Sequence, residues 1–164
     1  MDTLLVKRAQ KQDKDAFVRL IEKHKTSLYK AAKSYLGNEE DAADAIQDTV
    51  LSAYEHIHEL KNASYFKTWL TRILINHCND VLRQKKRCLV SDQAAQAESP
   101  MPENDREFYE LIGELPEDYR MIFLLYYGEE FHTSEIAQIL DINENTVKSR
   151  LRRGRDKLRH ILCY

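Results

Sequence analysis

TSEIAQILDINENTVKSRLRRGRDKLR, residues 133–159, is a short amphipathic helix, a tight break and a longer helix loaded with arginine. The break, Asp141-Ile142-Asn143, is the three-residue turn of a helix-turn-helix, and the second helix carries enough positive charge to enter a DNA major groove. Within it Val147, Leu151, Leu158 and Leu162 recur at helical spacings and define a buried stripe. Lys148, Arg152, Arg155 and Arg159 form the neighbouring stripe, with Ser149, Arg153 and Asp156 farther round. Recognition helices read bases mainly with their N-terminal residues. That singles out Asn145, Lys148, Ser149, Arg152 and Arg153 as base-contact candidates, leaving Arg155 and Arg159 for phosphates. Thr133 is placed to cap the first helix of the pair, whose free backbone N–H groups can bind a further phosphate. Gly154 is unusual in mid-helix, where it costs about 1 kcal/mol against Ala; either it permits close packing or it is a tolerated weakness.

Outward from this segment, the whole chain reads as helical. It has 164 residues, 43% of them hydrophobic, with only four glycines and three prolines, so the frequent turns of a β-rich chain are excluded. The net charge of -2 hides segregation. Residues 39–59 carry acids and no Lys or Arg, whereas Lys67, Arg72, Arg83, Lys85, Lys86 and Arg87 face only Asp80 in 67–87. Acid dominates again from Asp92 to Asp118, and residues 148–159 return to base. Two basic surfaces alternating with two acidic ones suit a protein that touches DNA at two places and uses other faces for protein partners.

The helical period runs from Asp13 to Leu36 and stops at Gly37-Asn38. In a second helix Ala42, Ala43, Ile46, Val50, Ala53, Tyr54 and Ile57 supply the expected buried stripe, and Asp41, Asp44, Asp48 and Glu55 an acidic outer face. A polar loop, Lys61-Asn62-Ala63-Ser64, precedes a third helix whose expected stripe is Phe66, Trp69, Leu70, Ile73, Leu74, His77, Val81 and Leu82. Trp69 reads as core. From Cys88 to Asn104 the period fails, which predicts a flexible acidic linker over 88–104. Short helices follow at 108–115 and 119–127. The expected fold is all-α, two small helical domains at 1–87 and 105–164 joined by that linker, the second containing the helix-turn-helix.

The run Asp41-Ala-Ala-Asp-Ala-Ile-Gln-Asp-Thr-Val-Leu51, with Tyr65-Phe-Lys-Thr-Trp-Leu-Thr-Arg-Ile73 and Asn76, resembles bacterial sigma factors of the extracytoplasmic-function group. Leu115-Pro-Glu-Asp-Tyr-Arg120 and Thr146-Val-Lys-Ser-Arg-Leu-Arg-Arg153 with Arg155 match the same family's second domain. The two motif sets stand in the expected order and span nearly the whole chain.

The resemblance implies a promoter-specificity subunit that docks on core RNA polymerase. It places Asp44, Gln47, Asp48 and Leu51 against the coiled coil of the polymerase's clamp-forming subunit. It also makes the loop Lys61, Asn62, Ala63, Ser64 and Tyr65 the pocket for a flipped non-template base of the minus-ten element. Arg72, Asn76, Asp80 and Arg83 then face the same DNA, with Lys85, Lys86 and Arg87 beside its phosphates. Thr133, Asn145, Lys148, Ser149, Arg152, Arg153 and Arg155 become the minus-thirty-five reader. The linker, with Asp92, Glu98 and Glu103, is implied to thread the polymerase toward the RNA exit path. The family's habit of control by an anti-sigma factor, often membrane-bound, comes with it. The residues agree with these roles in sign: a carboxylate face suits a basic partner, and a base outside the stack offers its edge to short polar groups.

No reaction chemistry is legible: there is no Gly-rich phosphate loop and no nucleophile motif, so a non-enzyme is expected. Cys78, Cys88 and Cys163 are an odd count without CxxC spacing, and no HxxxH or HExxH occurs; neither a metal nor a cofactor is expected, and the compartment reads as reducing, cytoplasmic. The free chain is expected to be a monomer. The alternative is a stand-alone helix-turn-helix regulator, which predicts a dimer on a palindromic site.

Overall fold

The computed structural model describes residues 2–88 and 103–163, and no strand occurs among them. The chain divides into two compact units, Met1–Gln96 and Ala97–Tyr164.

The first unit holds α1 (Asp2–Gln10), α2 (Lys14–Leu36), α3 (Glu39–His56) and α4 (Phe66–Arg87), with short 3-10 turns at Ile57–Glu59 and Ala63–Tyr65 between the last two. Each start is set locally. Asp13 accepts the Ala16 N–H at 3.1 Å to cap α2, and Asn38 accepts that of Asp41 at 2.8 Å to cap α3. Between them Gly37, at φ 80, closes α2 in the left-handed region and donates to the Lys33 carbonyl at 2.8 Å. Helix α1 went unread in the sequence because only Val6 and Ala9 are buried along it, too few positions to establish a period. It packs on α2 and on both 3-10 turns.

The buried faces of α3 and α4 are rotated from the expected stripes. In α3 the buried residues are Ala42, Ala45, Thr49 and Ala53, while Ala43 and Tyr54 are exposed. Small side chains let α3 lie close to α2 and α4 together, and Thr49 satisfies its buried hydroxyl on the Ala45 carbonyl at 2.6 Å. In α4 the buried set is Phe66, Thr68, Leu70, Thr71, Leu74, Ile75 and Cys78. Trp69, Ile73, His77, Val81 and Leu82 are only half-buried, so Trp69 is not the core residue that its spacing predicts. The large apolar residues on its side of α4 led the period toward them, whereas contacts from three neighbouring helices centre the core on Leu74 and Cys78.

The second unit holds α5 (Glu103–Gly113), α6 (Glu117–Phe123), a π-helical turn (Leu124–Gly128), α7 (Thr133–Leu140) and α8 (Glu144–Leu162). Helix α5 begins inside the stretch expected as linker; the rest of that linker, apart from Cys88 at the end of α4, lies outside the described residues. The core is built on five consecutive buried residues, Met121 to Leu125. An α-helix turns about 100° per residue and would aim one of five to solvent. The widened turn that begins at Leu124, with Glu129 donating to the Leu124 carbonyl at 3.0 Å, accompanies burial of the whole run. Asp141 ends α7 at φ 54 and Asn143 caps α8, accepting the Asn145 N–H at 2.8 Å.

On α8 the buried face is Val147, Leu151, Gly154 and Leu158. Leu162, expected in that stripe, is 68% exposed and borders an open apolar cavity with Phe108, Leu111 and Ile112 of α5. Gly154 is a packing device: a Cβ there would stand 2.4 Å and 2.7 Å from two ring atoms of Phe123 and 3.4 Å from the Tyr119 ring. The helix-turn-helix brace is completed by Arg150, whose guanidinium lies 3.7 Å from Asp118 on α6.

Candidate nucleic-acid interface

Asp44, Gln47, Asp48 and Leu51 are all exposed, and at about 100° per residue they fall within one arc of about 100° on α3. Leu51 shows 56% of its surface to solvent in the middle of carboxylates. An apolar side chain framed by acids is complementary to a surface with basic groups around an apolar spot and not to DNA. The N-terminal end of the same helix is tied down: Lys85 of α4 pairs with Asp41, which also accepts from the Asn38 amide at 2.6 Å. Partial burial raises the Asp41 carboxyl, and Lys85 with Asn38 outweigh it, leaving the group below its ordinary value. Lys85, expected beside phosphates, is thus also paired within the unit while half of its side chain stays exposed.

Arg72, Asn76, Asp80 and Arg83 are likewise exposed and share an arc of about 80° on α4. Asp80 and Arg83 pair at 3.3 Å. Trp69 lies in the middle of this face, its ring 5.9 Å from that of Phe66. With Ser52, His56, Glu59, Ile73, Asn76 and His77 it lines an open cavity of about 370 Å³. Across it Ser52 Oγ and His77 Nε2 lie 2.9 Å apart, joining α3 to α4. A flat aromatic edge beside an exposed amide and guanidinium offers stacking and hydrogen bonding to unpaired bases.

The loop before α4 divides its residues. Ala63 is buried and anchors it; Lys61, Asn62, Ser64 and Tyr65 are exposed, Tyr65 by 49%. Asn62 accepts from the Ser64 N–H at 3.1 Å and hydroxyl at 2.6 Å, so its carbonyl oxygen shapes the loop. The backbone leading into the loop is held from α1: the Gln10 amide donates to the Ile57 carbonyl at 3.0 Å and the Leu60 carbonyl at 2.8 Å. Nothing in the sequence signals this contact, which spans 47 and 50 residues.

In the second unit Asn145, Lys148, Arg152, Arg153 and Arg155 are exposed and Ser149 is half-buried. They spread over one side of α8 opposite its buried stripe. Arg155 donates to the Tyr127 hydroxyl at 3.2 Å. Thr133 is not the cap. It is the first residue of α7, whose cap is His132, and the His132 N–H donates to Glu135 at 2.8 Å. The Thr133 hydroxyl instead donates to Glu144 Oε1 at 2.8 Å, and Lys148 Nζ lies 3.5 Å from the same oxygen. Glu144 thus ties the two helices of the motif together and orients Lys148 on the exposed side of α8. Its carboxyl is held below the ordinary value first by the Thr133 hydroxyl and then by the Lys148 charge. Sequence reading passed over it because a lone acid at the start of a helix looks like dipole complement.

Cys78 is buried and burial pushes its thiol up to about 12, which makes it inert as a nucleophile; Cys88 and Cys163 are exposed. Among the described residues no group of three or more His, Cys, Asp or Glu is arranged to hold a metal, and no helix is long and apolar enough to cross a membrane.

Two family models match the chain: Sigma-70 region 2 over residues 20–88, and Sigma-70 region 4 over residues 105–158. The RNA polymerase sigma factor SigV of Bacillus subtilis is 34% identical over 145 residues, covering 86% of this chain and 87% of its own. The ECF RNA polymerase sigma factor SigW of the same organism is 32% identical over 176 residues, covering 96% and 94%. Among solved structures, CnrH in complex with the cytosolic domain of CnrY is similar with a TM-score of 0.74 at 25% identity, covering 98% of this chain and 96% of that one. An engineered region 2 of sigmaE in complex with GTAAAA matches with a TM-score of 0.51 at 28% identity, over 56% of this chain and 95% of its own.

Proposed function

The chain belongs to the extracytoplasmic-function sigma factors of the sigma-70 family and is a promoter-specificity subunit of RNA polymerase, and we propose that its exposed helix faces divide that work. Sigma factors select promoters; the polymerase carries out the chemistry. The α3 face of Asp44, Gln47, Asp48 and Leu51 docks on core polymerase. The loop of Lys61, Asn62, Ala63, Ser64 and Tyr65, with Arg72, Asn76, Asp80 and Arg83 on α4, reads the melted minus-ten element. Asn145, Lys148, Ser149, Arg152 and Arg153 read the minus-thirty-five duplex from the major groove, with Arg155 and the Thr133 end of α7 near phosphates. The first domain is taken as 1–87 and the second as 105–164, with α5 entering the second from Glu103.

The observation that carries this division is that the α3, α4 and α8 members of these sets each fall on one side of their helix, and that the sides are chemically opposite. The α3 arc is acidic with an apolar centre, which excludes DNA, while α4 and α8 present amides and guanidiniums, which attract it. The complex of CnrH with the cytosolic domain of CnrY supports a further protein partner for this chain, which we take to be an anti-sigma factor that would hold it in the cytoplasm or at the membrane. A dimeric stand-alone regulator gains no support, since that reading leaves the α3 face and the loop without a task.

Transcription from a promoter library by core polymerase plus this chain tests the division. Asp48→Arg should abolish initiation by preventing core binding, with the fold intact because the position is exposed. Arg153→Ala should keep core binding and change base preference at the upstream element only. Normal core binding by Asp48→Arg would refute the α3 assignment.

A further inference from the structure

Helix α1 makes contacts that the division above leaves without a purpose. Its last residue, Gln10, sends one amide nitrogen to two backbone carbonyls, those of Ile57 at 3.0 Å and Leu60 at 2.8 Å. A primary amide has two N–H donors, so each carbonyl can take its own. The Ile57 oxygen also accepts the Leu60 N–H at 3.2 Å, and Leu60 then turns to extended backbone, φ -67 and ψ 111. Leu60 is the residue from which Lys61 to Tyr65 projects.

Gln10 is itself rigidly placed. Lys11 donates to the Arg8 carbonyl and Gln12 to that of Ala9, each at 3.0 Å. Arg8 grips Asp13 at 2.7 Å, and Asp13 caps α2. At the other end of α1, Asp2 pairs with Lys23. A short helix fixed at both ends therefore reaches across to the irregular connection between α3 and α4. Beyond this grip, the loop is held by the Asn62–Ser64 turn, by the Tyr65 N–H donating to the Asn62 carbonyl at 3.0 Å and the Phe66 N–H to that of Ala63, and by the buried Ala63 methyl.

We propose that Gln10 is a positioning residue for minus-ten reading, holding the Ile57–Leu60 backbone so that the loop at 61–65 stands ready for an unpaired base. The inference rests on the loop's proposed role as a base reader. A pocket ordered in advance spares the DNA the entropic cost of ordering it, and freeing two carbonyls lets the loop wander. The consequence falls on single-strand binding and leaves the α3 and α8 faces untouched.

The test uses holoenzyme assembled from core polymerase and the full chain, with Gln10→Ala, Gln10→Glu and, in the loop, Tyr65→Ala. The probe is a non-template single-stranded oligonucleotide selected by the wild-type holoenzyme from a randomised promoter library. Gln10→Ala should weaken that probe about tenfold, the scale of one or two lost net hydrogen bonds, and flatten its base preference. Gln10→Glu, which sets a carboxylate against two carbonyls, should weaken it at least as much. Core affinity and retention of a minus-thirty-five duplex should stay within about twofold. Amide exchange in the free chain should rise from Leu60 to Phe66 and not elsewhere. A parallel loss of core affinity, or faster exchange throughout α2 to α4, would make Gln10 a residue of general stability and overturn the proposal. So would an unchanged probe affinity in both Gln10 variants while Tyr65→Ala weakens it. If Tyr65→Ala also leaves the probe unaffected, the loop is no base reader and the proposal falls with that reading.

Discussion

Replacing Gly154 by Ala should destabilise the second unit, although Ala is the better helix former. Helix propensity favours Ala by about 1 kcal/mol. Against that, the new methyl carbon would lie 2.4 Å and 2.7 Å from Phe123 ring atoms, where ordinary carbon contacts need about 3.5 Å. The ring must retreat by about 1 Å; Phe123 is 2% exposed with the Tyr127 ring tilted against it at 5.5 Å, and the space open to it is the cavity of about 290 Å³ that it lines. Overpacking of this kind costs about 1–3 kcal/mol, and a ring this buried belongs in the upper half of that range. The net expectation is a loss of about 1–2 kcal/mol.

The readout must isolate the second unit. The single tryptophan, Trp69, lies in the first, so its fluorescence should unfold unchanged and serves as the internal control. Amide exchange along α6 and α8 measures the affected unit directly. Adding Phe123→Leu to Gly154→Ala should recover part of the loss, because the two sites meet and their effects cannot be additive. A Gly154→Ala chain whose α6 and α8 amides are protected as well as, or better than, those of the parent would refute the argument. The glycine would then be a tolerated weakness and the Phe123 ring free to move.

Three further outcomes follow from single features. Glu144→Gln should remove part of the acid sensitivity of the second unit: the folded carboxyl is held low by Thr133 and Lys148, so its contribution is present above the unfolded carboxylate pKa and disappears as pH falls through the folded one. Comparing acid unfolding midpoints of parent and variant by α8 amide exchange checks this, and parallel curves would remove Glu144 from the account. Gln12 sits at φ 68 between α1 and α2, a conformation costing an L-residue about 1–2 kcal/mol. Gln12→Gly, after the greater chain entropy of glycine at about 0.5–1 kcal/mol, should raise first-unit stability by about 0.5–1 kcal/mol, read from the Trp69 unfolding transition. Arg152→Ala should lower the salt dependence of minus-thirty-five duplex binding by about one unit of slope if the residue neutralises a phosphate; an unchanged slope with altered base preference would make it a base reader instead.

The exposed faces were legible in the sequence because chemistry marks them. Charges that avoid the core declare themselves by composition, and their spacing alone puts Asp44 with Asp48, or Arg72 with Asn76, on one side of a helix. The buried faces were less legible. Alanine and threonine, which form the inner face of α3 at Ala45 and Thr49, are common on surfaces too. Large apolar residues such as Tyr54 and Trp69 pull the apparent stripe toward themselves while lying at its edge. Which side of an apolar helix is covered depends on how many neighbours it has, and periodicity carries no count of neighbours.

Least legible were the residues that position others. Gln10, Glu144 and Lys85 are ordinary polar residues whose partners lie 47 and 50, 11, and 44 positions away, beyond any local rule. Two of the three bear on a proposed DNA-reading element, Gln10 behind the loop and Glu144 at the root of α8, while Lys85 steadies the start of α3, the helix proposed to meet polymerase. The loop is short, with only Ala63 buried, and the proposed reading face of α8 lies opposite that helix's buried stripe. A small reading element can be exposed or rigid by its own packing, and an element that must meet DNA is committed to exposure. Its rigidity then has to come from polar contacts to the nearest helix, which is where substitutions that alter promoter choice without touching DNA should concentrate.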